Sequence, residues 1–199
     1  MPRTNRVTPF NEIVADPARG GLMGNRGCLH DADGNLIRGW TTKRWIACLL
    51  RFKNRRRTLM QPGRYTELFF WDEPTALAAG HRPCAECRWS DFRRFRQAWA
   101  EAHGCPALPV TATDMDKAIH ADRLEGRRKR VYRADPASLP DGCMVADGDQ
   151  AFLIRDGALH PWRFGGYGVA APIPAGHQMD VLTPLCIVRT LEAGYRPAF

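Results

Sequence analysis

The chain has 199 residues, of which 44% are hydrophobic, and its formal net charge is +8. This composition is sufficient to bury the core of one large domain or two small ones. The sequence contains no run of about 18 apolar residues that could span a bilayer, and the N-terminus lacks the apolar core of a signal peptide, so we expect a cytoplasmic protein. The positive charge favours polyanionic partners, because basic side chains that neutralise phosphates release counterions.

The first part of the chain is rich in proline, glycine, asparagine and arginine. Residues 1–25 show no sustained hydrophobic period and are predicted to form an N-terminal arm with at most one short helix, over 10–15. A hairpin is predicted over 28–40, with its turn at the favoured pair Asp33-Gly34.

The next elements lead to two closely spaced cysteines. Strands are predicted over 45–52 and 65–71, and a basic loop and a Pro-Gly turn lie between them. A short helix over 74–79 then ends at Gly80. Cys84 and Cys87 follow, and Pro83 restricts the backbone just before them. Two thiolates three residues apart in a turn can face one Zn²⁺, so this segment is predicted to supply half of a zinc site.

The segment 69–87 resembles the zinc-binding module of the Ada DNA-repair proteins, in which an aromatic strand leads into an alanine-rich helix, a Gly, Arg-Pro-Cys and a second Cys. Phe69-Phe70, residues 76–80 and residues 82–87 match that pattern, within a looser similarity over 45–90. The resemblance implies DNA binding and a zinc-held cysteine that accepts a methyl group from a methylated phosphate. That family also carries a Cys-x-x-x-Cys before the aromatic strand, where residues 53–58 of this chain contain no thiol.

Two further ligands are needed to complete a tetrahedral zinc site. Cys28 and Cys48 are the first choice, because with Cys84 and Cys87 they form the four-thiolate set of a closed structural site. His30 is an alternative ligand, since in a strand it would point to the same face as Cys28. The chain has seven cysteines and no export signal, which favours reduced thiols, and the remaining three (Cys105, Cys143 and Cys186) are predicted to be small buried or loop residues.

The second half changes from helix to strand. Helices are predicted over 91–103 and, with Thr113 as the N-cap, over 113–125; a β meander is predicted over 143–162, a strand over 179–182 and a last helix from Thr183-Pro184 to about Gly194. The fold class predicted is α+β. Three regions are predicted. The first is the N-terminal arm (1–25), and the second is an Ada-like zinc-binding module, made of a β-hairpin and a helix, together with the helix that follows it (26–104). The third contains a basic helical connector and a C-terminal antiparallel β meander closed by a helix (105–199).

Clusters of basic residues recur beside the predicted zinc turn and after the second long helix. They favour binding to nucleic acid, with DNA as the expected partner, mainly through phosphates. Tyr65 and Trp89 are near enough in sequence to offer stacking surface, although core packing is the stronger expectation for Trp89. The cations predicted to contact nucleic acid are Arg55, Arg56, Arg57, Arg88, Arg93, Arg94, Arg127, Arg128, Lys129 and Arg130.

An alternative function is a nucleic-acid-modifying enzyme of the phosphodiester hydrolase type. Asp116 and His120 are one turn apart on a predicted helix, and with Asp114 and Asp122 they could hold a hydrolytic metal. Glu67, a single carboxylate in a predicted strand, could act as a general base. The opposing interpretation is an acidic first helical turn with an exposed histidine.

Overall fold

The computed structural model describes residues 2–55, 58–104 and 110–199. Within these ranges the chain is an α+β protein, as predicted, with two main sheets and four α-helices. The elements up to the second long helix are Thr4–Val7 (β1), Ile13–Ala15 (β2), Leu22–Asn25 (β3), Ile46–Leu49 (β4), Leu68–Phe70 (β5), Glu73–Ala78 (α1), Arg82–Pro83 (β6), Trp89–Ala102 (α2) and Ala112–Arg123 (α3). The remaining elements are Leu124–Glu125 (β7), Arg128–Lys129 (β8), Tyr132–Ala134 (β9), a 3₁₀ turn (Pro136–Ser138), Met144–Asp147 (β10), Gln150–Arg155 (β11), Ala158–Arg163 (β12), Gly166–Tyr167 (β13), Ala171–Pro172 (β14), Met179–Val181 (β15) and Leu185–Glu192 (α4).

The first sheet has six strands in the order β2-β1-β5-β3-β4-β6. Its inner face packs against α1, where Val7, Leu68 and Phe70 meet two alanines of the helix segment. Gly24 in β3 allows a close approach, because a Cβ there would lie 2.4 Å from the ring of Phe70. The Phe70 ring therefore lies over β3, on the face where it packs with the alanines of the helix segment.

The N-terminal segment is part of this sheet, so the prediction of an arm over 1–25 with a helix at 10–15 is wrong. The segment forms β1, β2 and β3, and Asn5 and Val7 are buried. Strand β1 pairs in parallel with β5, with Arg6 opposite Phe69. Strand β1 also pairs antiparallel with β2, with Val7 opposite Ile13, and strands of four and three residues are too short to show a hydrophobic period.

The hairpin predicted over 28–40 is only a tight turn. One bridge joins His30 and Leu36, and the Asp31 carboxylate accepts the backbone N–H groups of Asp33 and Asn35. Backbone bonds from Asp31 N–H to the Asn35 carbonyl and from Ile37 N–H to the Leu29 carbonyl complete the turn, and residues 37–40 do not continue as a strand.

The second sheet contains the predicted meander. Its strand order is β13-β12-β11-β10-β15-β9, β14 pairs with β12, and α4 follows β15. The predicted β hairpins with Asp-Gly turns are confirmed, since β10 pairs antiparallel with β11 and β11 with β12. Cys143 and Cys186 are buried in the core of this part, as predicted.

One core cluster joins helix α2 to the second sheet and to helix α4. Phe92 and Phe95 of α2 pack with Val181 of β15 and Ile187 of α4. Helix α3 begins with a capping box, in which the side chains and backbone of Thr111 and Asp114 bond each other, so its cap lies two residues before the predicted Thr113. The basic segment after it is the small β7-β8 hairpin and not a continued helix.

None of the helices in the described part of the chain combines the length and apolarity that crossing a membrane requires.

Candidate metal centre

Three of the four predicted zinc ligands come together in the structure. The sulfur atoms of Cys48, Cys84 and Cys87 all lie within 4.8 Å of one another. Cys48 and Cys84 are buried, and Cys87 is half-buried. Three thiols at this separation can bind one metal ion without a change of fold.

The strand pairing explains how Cys48 reaches the Cys84–Cys87 turn. Strand β6 pairs in parallel with β4, with Ala47 opposite Pro83, and the backbone N–H of Cys84 donates to the carbonyl of Ala47 at 3.0 Å. The residues that follow on each strand, Cys48 and Cys84, are therefore neighbours. The turn then leads directly into α2, which begins at Trp89.

Backbone N–H groups point at two of the sulfurs. The N–H of Glu86 donates to Sγ of Cys84 at 3.4 Å, and the N–H of Leu49 donates to Sγ of Cys87 at 3.3 Å. Such bonds stabilise the thiolate form, which is the form that binds a metal. The backbone of the turn is thus arranged for negative charge on sulfur.

The three thiols also interact with one another. Hydrogen bonds from the Cys48 and Cys87 thiols lower the pKa of Cys84 below its usual range. Hydrogen bonds to the sulfurs of Cys84 and Cys87, together with burial, raise the pKa of Cys48. Cys84 is accordingly the first of the three to carry a negative charge, and the other two thiols stabilise it.

Cys28 is not part of this group, so the predicted four-thiolate set is wrong for this residue. Its thiol donates to the carbonyl of His30 at 3.7 Å. The register of β3 against β4 places Met23 opposite Cys48, and Cys28 lies five residues further along the chain. At about 3.3 Å per residue this places Cys28 beyond the end of the strand pair.

His30, the alternative ligand, is used elsewhere. Its Nδ1 lies 2.6 Å from the Thr66 hydroxyl and its Nε2 lies 3.3 Å from the carbonyl oxygen of Gln61. The side chain is buried and both ring nitrogens are engaged, so His30 fixes the 28–36 turn against the segment that precedes β5.

A cavity of about 540 Å³ adjoins the three sulfurs. Its wall includes all three cysteines, the Glu67 carboxylate and the exposed leucines 49, 50 and 59. Because these leucines are exposed, the cavity opens to solvent. Sequence analysis found the cysteines and Glu67, but it missed two other residues of the wall, Met23 and Arg44.

Glu67 is a buried member of this wall. One of its oxygens accepts the backbone N–H of Met60 at 2.8 Å. The carboxylate therefore orders the chain at Met60, whose backbone adopts a positive φ of 56°. It shares the cavity with the sulfurs but does not belong to their group within the described residues.

The strand that precedes Cys84 is held by a buried ion pair. The guanidinium of Arg82 donates to both oxygens of Asp116 in α3, at 2.8 and 2.9 Å. Its third bond goes to the carbonyl of Pro83 at 3.0 Å. A bidentate pair has defined geometry, so α3 fixes the position of the backbone next to the first cysteine of the turn.

The residue that follows Cys87 is anchored in a similar way. Arg88 is buried and donates to Glu73 at 2.7 Å and to Asp91 at 2.8 Å. Glu73 also accepts the Tyr195 hydroxyl at 2.6 Å and the Ala198 N–H at 2.9 Å. The end of the cysteine turn is thereby joined to α1 and to the C-terminal segment.

The hydrolytic site predicted around Asp116 and His120 does not form. Asp116 is the partner of Arg82, and Nδ1 of His120 lies 2.6 Å from a guanidinium nitrogen of Arg123. Asp114 caps its own helix, and Asp122 accepts the N–H of Cys186 at 2.7 Å. Each of these four polar residues therefore stabilises the fold through its own contact, and they do not form a common metal site.

The predicted nucleic-acid cations divide into exposed and buried groups. Arg88 is buried in its ion pairs, and the Lys129 ammonium is directed inward to the carbonyl of Ala78, so neither is a surface cation and these two predictions are wrong. Burial and two neighbouring guanidinium groups lower the pKa of Lys129 to about 7. Arg56 and Arg57 lie outside the described residues. The exposed members are Arg55, Arg93, Arg94, Arg127, Arg128 and Arg130.

Two aromatic side chains lie close to the metal centre. Trp89 is 52% exposed and stacks on Phe92 with ring centroids 5.9 Å apart, so the expectation that it packs in the core is wrong. Tyr65 is half-buried and lines the cavity. Arg55 at the cavity wall forms an exposed ion pair with Glu86, which lies between Cys84 and Cys87.

No protein-family model, no curated protein and no solved structure matches this chain.

Proposed function

We propose that the protein binds zinc through Cys48, Cys84 and Cys87, and that it binds nucleic acid, with DNA as the partner to test first. The observation that carries the proposal is the group of three sulfurs within 4.8 Å of one another. The resemblance of residues 69–87 to the Ada module supports both the metal and DNA as the partner.

The donor set suits zinc. Thiolates are soft ligands that favour Zn²⁺ over magnesium or calcium, and the two N–H···S bonds support negative charge on sulfur. The metal would join β4 to the turn before α2, and so would stabilise the fold around Cys48 and Cys84.

Nucleic-acid binding is supported by basic residues that lie close to Cys48 along the chain. Arg44, Arg51, Lys53 and Arg55 are exposed, and two of them line the cavity wall. The half-exposed Trp89, two residues after Cys87, offers a face on which a base could stack. Phosphate binding by these groups would account for a net charge of +8.

A salt titration tests this part of the proposal. Fluorescence anisotropy with labelled duplex and single-stranded DNA between about 50 and 200 mM salt should give an observed affinity that falls linearly on a double-logarithmic plot, with a slope near −0.9 per phosphate contact on duplex. Arg51→Gln combined with Lys53→Gln should reduce the slope by about 2. Arg155→Gln, an exposed arginine of the second sheet, is the control and should leave it unchanged. Binding that is absent or independent of salt would contradict the proposal.

A second candidate function is a nucleic-acid-modifying enzyme of the phosphodiester hydrolase type. One observation favours it: the buried Glu67 carboxylate lines the same cavity as the three sulfurs. Zinc-loaded protein would be incubated with labelled DNA and RNA, and Glu67→Gln should abolish turnover while Glu101→Gln, at an exposed helical position, should not. No turnover by the wild-type protein would leave only binding.

A further inference from the structure

We propose that the metal centre keeps an open fourth coordination position, and that this position takes a small thiol from the adjoining cavity. The inference rests on the proposed zinc binding by Cys48, Cys84 and Cys87. It changes the expected character of the site, because a zinc ion with three protein ligands and one exchangeable ligand is an open centre, whereas a structural site is closed by four.

The first argument is the number of donors. Zinc in proteins is almost always tetrahedral in such sites, so three sulfurs leave one position. Within residues 2–55, 58–104 and 110–199, the group contains three cysteines and no carboxylate or imidazole. Cys28 and His30, the two other ligands that the sequence suggested, are engaged in the 28–36 turn.

The second argument is the space beside the sulfurs. A closed zinc site is surrounded by its own loops, whereas all three cysteines here line one cavity of about 540 Å³. That volume lies within the range of pockets that bind small molecules. The exposed side chain of Leu50, at 51%, marks the side on which a ligand could enter.

The third argument concerns the chemistry of the ligand. A divalent zinc ion and three thiolates carry a net charge of −1, and soft donors match such a centre. Arg44 lines the cavity and supplies positive charge near a fourth thiolate, whereas the charge of Arg55 in the same wall is paired with Glu86. The apolar wall provided by Leu50 and Leu59 suits the carbon skeleton of a small thiol.

Among the described residues of the cavity wall, Met23 carries a further sulfur that the protein itself could supply. It lies opposite Cys48 in the β3-β4 register and lines the cavity. Its thioether is a weaker ligand for zinc than a thiolate. We therefore assign Met23 to the cavity wall, and the experiment below includes it as a variant.

The test uses the protein with Co²⁺ in place of Zn²⁺, because cobalt–thiolate absorption reports the number of bound thiolates. The resting spectrum should be that of a tetrahedral site with three thiolates. Titration with 2-mercaptoethanol should raise the charge-transfer absorption about 1.3-fold, from three thiolates to four, and should saturate. A resting spectrum of four thiolates, or no response to the thiol, would overturn the inference.

Matched variants separate the possible sources of the fourth ligand. Met23→Leu, Cys28→Ser and Cys105→Ser should leave the resting spectrum and the titration unchanged; Cys105 lies outside the described residues. A change in the resting spectrum of any of these variants would show that the protein supplies the fourth ligand. Leu50→Trp should weaken the thiol titration at least about 10-fold by narrowing the cavity, whereas Leu185→Trp, an exposed leucine of α4, should not.

The two proposals fail in different ways. Protein that binds neither zinc nor cobalt would refute zinc binding and the open position together. Protein that binds cobalt tightly but does not respond to 2-mercaptoethanol would refute only the open position.

Discussion

Replacing Arg88 should destabilise the protein far more than replacing the neighbouring Arg94. Both arginines bond the same carboxylate, Asp91, at 2.8 and 2.7 Å. They differ in burial, because the Arg88 side chain is 3% exposed and the Arg94 side chain 55%. Arg88 also pairs with Glu73, whose side chain is 2% exposed. Substitution by methionine keeps an unbranched apolar stem in both cases and removes the guanidinium, with its charge and its five N–H donors.

The expected magnitudes follow from this burial. Arg88→Met leaves the Glu73 carboxylate buried with two hydrogen bonds, from Tyr195 and Ala198, and no cation. Breaking a buried pair by removing one partner costs about 3–5 kcal/mol. The exposed pair of Arg94 contributes about 0–1 kcal/mol. Should Arg88→Met fail to fold, Tyr195→Phe removes one hydrogen bond to the same carboxylate and should cost about 1.5–3 kcal/mol.

Urea unfolding of the zinc-saturated proteins, followed by circular dichroism, measures the difference. At a typical slope of about 2 kcal/mol per molar urea, Arg88→Met should lower the midpoint by roughly 2 M, whereas Arg94→Met should change it by less than about 0.5 M. Equal shifts for the two variants would refute the structural role of Arg88. They would also revive its predicted role as a surface cation for nucleic acid.

Two other predictions concern stability. Burial and the Arg26 guanidinium hold the pKa of His81 well below its usual value. The unfolded chain therefore takes up a proton below about pH 6.5 that the folded protein does not, and the free energy of unfolding should fall by up to about 1.4 kcal/mol per pH unit as the pH is lowered. Urea unfolding at several pH values should show a shallower dependence for His81→Gln, and identical slopes would contradict this account. Gly24→Ala places a Cβ 2.4 Å from the Phe70 ring and should cost about 1–3 kcal/mol, whereas Gly39→Ala, with open space around it, should change stability by less than about 0.5 kcal/mol. Thermal unfolding compares the two glycine variants, and similar melting temperatures would argue against the tight contact.

The sequence was most informative where local chemistry determines structure. The meander was predictable because Asp147-Gly148 and Asp156-Gly157 are favoured turn pairs between apolar runs. The cysteine turn was predictable for a similar reason, since Pro83 and the spacing of Cys84 and Cys87 restrict a few adjacent residues.

The sequence was misleading where contacts between distant residues determine structure. The strand Thr4–Val7 has four residues and lies between β2 and the distant β5, so the sequence around it shows no hydrophobic period and resembled a loose arm. The choice of Cys48 over Cys28 and His30 depended on the pairing of β4 with β6 and on the register of β3 against β4, which no local pattern specifies. Buried cations such as Arg88 were assigned to the surface, because their carboxylate partners come from other elements.

Metal content measured on the wild-type protein and on four cysteine variants tests the central claim most directly. Elemental analysis of protein purified without chelator should find one zinc per chain in the wild type and in Cys28→Ser. Cys48→Ser, Cys84→Ser and Cys87→Ser should each lose it, because their three sulfurs form the group within 4.8 Å. Zinc that persists in Cys48→Ser, disappears in Cys28→Ser, or is absent from freshly reduced wild-type protein would contradict the account.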